Sequence, residues 1–424
     1  MKSRTIVQVR TLLSLALVAV VVSGCSTQPI AVVKTPAAPT KHVKAETPAP
    51  AHQAKKKQMM HKQESGVLSL DVFKENHKIH VLTGIHDQGV STLQYQRSDD
   101  QGHSWTTPVN IAPQGTVFNF HRGNDSQIAA WGDNVLVAWM NRGYTNRHGS
   151  GPMSVAYSHD QGKTWSLGEM AASQWKNGTH AFMELTANEK GMHFVWLDSR
   201  NGKQGLQYAH STNGGETWKP ETTLDAKTCY CCWNTLASDS HNNLYALYRD
   251  KEPSDMALIK VAANSGVSKR LARVGEFDWE FQGCPHVGGG LAIHEQGNQV
   301  QLHAMVSTMK PEKAGLYYLS SVDGGIHWTP EQRMGQGMAV HSDIAVNDSG
   351  ALLASWDVAG PMGMSIITSK SLDQGKTWLN ETVLSKTDMD ATHPKVVAVD
   401  EGFLVFWTEK AEGGSKQLQI KKLN

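Results

Sequence analysis

An all-β fold of sequential four-stranded units is predicted for this chain: a β-propeller with seven blades by repeat count, or six if the first and last units merge. Three observations in the 424-residue sequence predict it. A pattern Ser-x-[Asp/Asn]-x-Gly-x-polar-Trp recurs from Ser98, Ser158, Ser211, Ser321 and Ser371 to Trp105, Trp165, Trp218, Trp328 and Trp378. Between these copies runs a second repeat, a polar approach followed by two short apolar strands, the second ending in an aromatic. Trp is in surplus, 13 against 9 Phe and 9 Tyr, as a repeated aromatic anchor would require.

Taken in chain order, the first 25 residues read as an export signal. Lys2, Arg4 and Arg10 precede an apolar run from Thr11 to Val22, too short to span a bilayer, and Val22-Ser23-Gly24-Cys25 follows. The small residues before Cys25 resemble the lipobox of bacterial lipoproteins, which implies lipidation of Cys25 and a membrane anchor. Ser26 after it is compatible with outer-membrane sorting, so an extracytoplasmic place in the bacterial envelope is expected. Residues 26–66 are rich in Pro, Ala and Lys without periodicity and read as a flexible tether, its end carrying His52, Met59, Met60 and His61. Residues 67–424 form the propeller.

The first blade opens with Leu68 to Phe73 and Ile79 to Gly84. Later inner strands are approached by His121-Arg122-Gly123-Asn124-Asp125, Thr179-His180, Cys231-Cys232, Cys284-Pro285-His286, His341-Ser342-Asp343 and His393-Pro394. Second strands end at Trp139, Trp196, Tyr248, Trp356 and Trp407. The interval from Trp218 to Trp328 is double the others, with a decayed copy at Asn264, Gly266 and Ser268. The last unit, from His393, has room for only three strands, and a segment from the N-terminal side is expected to complete it. In each full copy the Asp accepts backbone N–H groups within a turn, the Gly allows a positive φ and the Trp packs beneath the hairpin.

These copies are Asp boxes, and the chain resembles the Asp-box (BNR repeat) sialidase and neuraminidase superfamily over nearly all of its mature length. The resemblance implies a six-bladed ring in catalytic members, three Arg holding a substrate carboxylate, a Tyr nucleophile activated by Glu, and an Asp acid/base. Arg122, Arg200 and Arg249 are the candidate clamps, with Asp125, Glu184 and Tyr230 as candidate acid/base, partner and nucleophile. The family's Arg-Ile-Pro motif is missing, since the chain reads His121-Arg122-Gly123-Asn124.

Propeller geometry places the boxes on the face away from the ligand mouth, which the inner-strand approaches line. His121, His180, His286, His341 and His393 recur there blade by blade, and the remaining approach carries cysteines instead. Cys229, Cys231 and Cys232, with Cys284 one blade later, suit either two disulfides or a soft-metal site completed by His286, for which copper(I) or zinc is the fitting ion. Charge excludes another class. With 40 Lys plus Arg against 39 Asp plus Glu, the chain lacks the basic surplus of a nucleic-acid binder. Three readings result: a membrane-anchored propeller binding a small molecule, glycan or soft metal at a Cys/His mouth; an exo-acting glycoside hydrolase on acidic sugars; and a scaffold for an envelope protein partner.

Overall fold

The computed structural model describes residues 64–142, 151–175, 178–200, 202–263, 266–283, 285–360 and 363–424. The export signal with Cys25, the tether with its His and Met residues, Asn264 and Cys284 lie outside the described residues. Among the described residues, seven antiparallel sheets follow one another along the chain, six of four strands and one of three. Their inner strands are Gly66–Glu75, Gln127–Trp131, His180–Asn188, Thr235–Ser238, Gly289–Gln296, Ala339–Val346 and Asp390–Val399. Each inner strand touches the next, and the last touches the first, so the ring closes at seven.

The seventh blade holds three strands, Asp390–Val399, Gly402–Lys410 and Gln417–Leu423. The expected completion from the N-terminal side is a single parallel bridge, Gly66 to Lys416, flanked by bonds from Val67 N to Lys416 O and from Lys416 N to Ser65 O. Gly66 is required there. A Cβ on it would stand 2.0 Å from the Lys416 carbonyl oxygen.

All five boxes sit between third and fourth strands and satisfy themselves. In the second, Ser158 Oγ donates to Asp160 Oδ1 and accepts from Gly162 N, while Asp160 also accepts from Thr164 N and Thr164 Oγ1. The first box is built alike, and hydrogen bonds from Ser104 and Ser98 hold Asp100 down to about 2. The box of one blade also leans on its predecessor. Trp165 packs edge-on to Tyr95 and Trp378 to Tyr318, and Trp105 of the first blade reaches Phe406 of the seventh, locking the closure.

The second-strand tryptophans Trp139, Trp196, Trp356 and Trp407 are buried between blades as expected. Three donate their indole N–H to the residue two positions on, Asn141, Asp198 and Glu409, so a polar group on the same face satisfies the only polar atom of a buried ring. A repeat not expected from sequence is a buried His of the second strand bonded through Nδ1 to a Tyr hydroxyl of the third: His80 with Tyr95, His193 with Tyr208 and His303 with Tyr318. Each pair is stacked.

Burial pushes His80 and His193 down to about 3 and His303 to about 4. The unfolded chain takes up these protons near pH 6.5 while the folded one does not. Their contribution is therefore complete above pH 6.5 and is lost as pH falls toward 4, with a slope of about 1.4 kcal/mol per pH unit for each His. Denaturant unfolding at pH 7 and pH 5 is expected to show a loss of several kcal/mol; a flat profile would mean that the rings take up protons in the folded state.

Candidate functional site

The inner strands of all seven blades enclose a cavity of about 220 Å³ on the ring axis. It is smaller than the roughly 300–1,000 Å³ of ordinary ligand clefts, and so suits an ion or a small molecule. Asp71, Asp125, Glu184, Asp343 and Lys395 project into its wall, and Trp233, His341 and His393 stand at its mouth. Lys395 Nζ lies 3.1 Å from Asp71 Oδ1. Burial works against its charge, but Asp71, Glu184, Asp343 and Asp125 outweigh that and hold the ammonium well above its usual value. Glu184 is pushed well above the usual carboxylate range by desolvation, with Asp71, Asp343 and Asp125 adding to the effect and Lys395 opposing it.

The residues chosen as sialidase-like machinery are mostly committed elsewhere. Arg122 is buried, donating from Nη1 to Leu70 O and Asp125 Oδ1 and from Nη2 to His393 O. Asp125 in turn accepts from Leu70 N and Gly123 N, so both of its oxygens are engaged within the ring. Arg249 is buried under Trp279 and gives its three nitrogens to the carbonyls of Val287, Ser254 and Ser307. Arg200 is paired with Asp198 and Glu221. None of the three guanidinium groups is free to clamp a carboxylate. Tyr230 is 48 % exposed on the rim beside Lys251 and is absent from the cavity wall, so it does not meet Glu184. The expected Arg clamp and Tyr–Glu couple are therefore not assembled: Arg122 and Arg249 answer buried carbonyls, Arg200 answers two carboxylates, and Tyr230 stands on the rim.

The histidines divide. His180 does not reach the mouth: it is fully enclosed beside Trp196, and its Nδ1 accepts from Met153 N. Burial pushes it down to about 4. The other four gather. His341 and His393 stack with ring centroids 3.7 Å apart, Trp233 lies 5.3 and 5.8 Å from them, and His121 is 6.1 Å from His286. His286 is exposed; partial burial and the nearby His121 and His341 lower its basicity, against the pull of Cys229.

The cysteines converge as well. Cys229, Cys231 and Cys232 are buried on the loop entering the fourth blade, their sulfurs all within 4.8 Å of one another and those of Cys229 and Cys232 2.8 Å apart. Cys229 N donates to Arg249 O, which fixes the loop to the second strand of the same blade. Hydrogen bonds from Cys231 and Cys232 pull the Cys229 thiol far below its usual value, and Arg249 helps. Such a trio can hold a soft metal.

Asp71, Trp233, Thr392 and Lys395 were missed from sequence. A signal for the inward residues exists: Asp343 and Lys395 each stand two positions after a mouth histidine, His341 and His393. Trp233 follows directly on Cys232.

The BNR/Asp-box repeat family model matches residues 156–167, the core of the second box. No curated protein matches the chain. Among solved structures, polysaccharide lyase Uly1 superposes with a TM-score of 0.53 at 8% identity, covering 85% of this chain and 90% of the lyase. A Trypanosoma rangeli sialidase gives 0.47 at 10% identity over 73% of this chain, which spans only 56% of the sialidase. A leech intramolecular trans-sialidase gives 0.46 at 9% identity over 85% of this chain and 68% of its own. The chain is a seven-bladed β-propeller that carries Asp-box repeats, and an architecture of this kind leaves the chemistry to the site.

The Arg122 environment yields a test. Arg122→Ala leaves Asp125 charged and buried beside two unanswered carbonyls, so it is expected to cost about 3–5 kcal/mol of stability, measured by denaturant unfolding. A loss under about 1 kcal/mol would return Arg122 to the list of ligand-binding residues.

Proposed function

We propose that this protein is a lipid-anchored, extracytoplasmic propeller of the bacterial envelope that binds a soft metal ion, copper(I) or zinc, through the thiolates of Cys229, Cys231 and Cys232 with His286 beside them. The observation that carries this reading is the convergence of three buried cysteine sulfurs at a mouth that also gathers four histidines. Three thiolates with an imidazole form a donor set preferred by copper(I) and zinc over magnesium or calcium. The ligand is the thiolate, whose proton must leave first; the neighbouring thiols favour that at Cys229, while burial and Cys229 oppose it at Cys232. Cys284 is a fourth sulfur of the sequence, one blade on, and lies outside the described residues. Anchoring through Cys25 supplies membrane attachment; among the described residues no helix is long and apolar enough to cross a bilayer.

A second reading, exo-acting hydrolysis of sialosides or related acidic sugars, draws on Glu184, a cavity carboxylate raised toward the range of a general acid. The committed state of Arg122, Arg200 and Arg249 weighs against it. A glycan or small-molecule ligand at the mouth is compatible with either reading.

Protein purified without chelator is expected to carry about one copper or zinc ion per chain by elemental analysis, as one site implies. The Cys229→Ser, Cys231→Ser, Cys232→Ser variant should lose it. Metal-free protein whose four mature-chain cysteines are all bridged would overturn the reading. Assay with a fluorogenic sialoside is expected to show no turnover above background; turnover abolished by Glu184→Gln would promote the second reading over the first.

A further inference from the structure

His341 and His393 lie in adjacent blades, each within a β-bulge at the start of its inner strand. Pairing with the second strand breaks register between Ala339 and Ser342 in one and between Thr392 and Lys395 in the other. His393 is also held at φ +53°, a conformation that costs energy in a non-glycine residue and persists only when its surroundings impose it. Bulges re-aim side chains, and here they bring the two imidazoles face to face at the mouth, ring centroids 3.7 Å apart.

One carboxylate holds both. Asp357 is fully buried on the second strand of the sixth blade. Its Oδ1 accepts from His341 N, and its Oδ2 accepts from His341 Nδ1 at 2.7 Å, from Thr392 Oγ1 at 2.5 Å and from His393 N at 3.0 Å. The proton positions follow. A carboxylate only accepts, so His341 must carry its hydrogen on Nδ1. The Thr392 hydroxyl spends its hydrogen on Asp357, so the 2.7 Å contact with His393 Nδ1 requires that nitrogen to donate too. His121 follows the same rule, its Nδ1 facing the Arg122 carbonyl oxygen at 2.8 Å. Three neighbouring imidazoles are thus fixed as the Nδ1–H tautomer, each with its Nε2 lone pair left for a ligand. The space before His393 Nε2 is kept by a glycine: a Cβ on Gly123 would stand 2.9 Å from that atom. An imidazole whose far N–H is held by a carboxylate or carbonyl is the arrangement that proteins use to present Nε2 to a metal.

We infer that Nε2 of His121 and Nε2 of one ring of the stacked His341–His393 pair form a second metal site at the mouth, distinct from the thiol trio and suited to a divalent copper or zinc ion, with Asp357 and Thr392 as positioning residues. This deepens the metal-binding reading and rests on it, but uses different atoms. Imidazole donors without sulfur favour copper(II) and zinc(II), whereas the thiols favour copper(I) or zinc(II), so the mouth presents two donor sets of different softness.

The two sites separate experimentally in the full chain. The Cys229→Ser, Cys231→Ser, Cys232→Ser variant, titrated with copper(II) alone, is expected to bind about one equivalent, as a single site implies, with nitrogen superhyperfine splitting in its electron paramagnetic resonance spectrum. Excess copper(II) should displace zinc(II) preloaded there, following the affinity order of divalent ions at nitrogen donors. Adding His341→Gln and His393→Gln should abolish the signal. Asp357→Asn should weaken copper(II) binding by about 10–100-fold, and nitrogen NMR should show His341 losing its fixed Nδ1–H tautomer, a change that mere destabilisation does not produce. Thr392→Val, which spares the buried carboxylate, should release the tautomer of His393 alone and keeps the test open if the Asp357 variant fails to fold. Copper(II) binding unaffected by the His variants, or an absence of nitrogen coupling in the thiol-free protein, would overturn the inference. Copper(II) bound there while the native protein holds no metal on its thiols would sink the thiol reading and leave the imidazole site standing.

Discussion

The structure depends on how backbone polar groups are satisfied where neighbouring inner strands meet without a ladder. Each sheet ends at its inner strand, whose outer edge faces the next blade, so N–H and C=O groups near the axis need side-chain partners. Asp71 Oδ2 accepts from Ile128 N and Asp125 Oδ1 from Leu70 N, a reciprocal tie between the first two blades. Asn124 accepts from Phe182 N, Asn234 donates to Phe182 O, and Asp343 accepts from Val396 N. Losing one such partner leaves a buried group unanswered, at about 1–3 kcal/mol each. The acids of the cavity wall are therefore fasteners first, and their placement fixes where the mouth residues stand.

The same demand explains why the arginine clamp expected from the sequence resemblance is not assembled here. A guanidinium carries five N–H donors in a rigid fork, which makes it the best group to gather several stranded carbonyls. Arg249 serves three of them and Arg122 serves two and a carboxylate. Once such a donor is spent inside the ring it offers nothing to a ligand. The groups gathered at the mouth besides these arginines are the thiols of the fourth blade's approach and the imidazoles of His121, His286, His341 and His393.

The architecture was legible because the Asp box is local. Ser, Asp, Gly and Trp at fixed offsets define a turn that closes on itself, and its phase counts blades without knowledge of any distant contact. The faces were legible too, through strand alternation, and so the three cysteines and His121, His286, His341 and His393 were found together. Partnership was not legible. Nothing local distinguishes Arg249, buried under Trp279, from an arginine facing solvent, and His180 shares the strand position of the mouth histidines yet turns inward beneath Trp196. The seventh blade shows the same limit: sequence gave the missing strand, but its replacement by one bridge at Gly66 depends on a close backbone approach.

A near-zero formal charge over the whole chain conceals a concentration of carboxyl groups at the axis. Four carboxylates, Asp71, Asp125, Glu184 and Asp343, face two cations, Lys395 and Arg122, within one small cavity. Desolvation, and then mutual repulsion against the pull of Lys395, raises both Glu184 and Asp343. Desolvation comes first among those causes, so the shifts report chiefly how dry the cavity wall is, and an acid that keeps its proton there relieves the crowding of negative charge around Lys395. His341 and His393 line the same cavity. The acids that fasten the ring share one small space with the lysine they hold, so closure of the ring and the electrostatics of the cavity rest on the same buried residues.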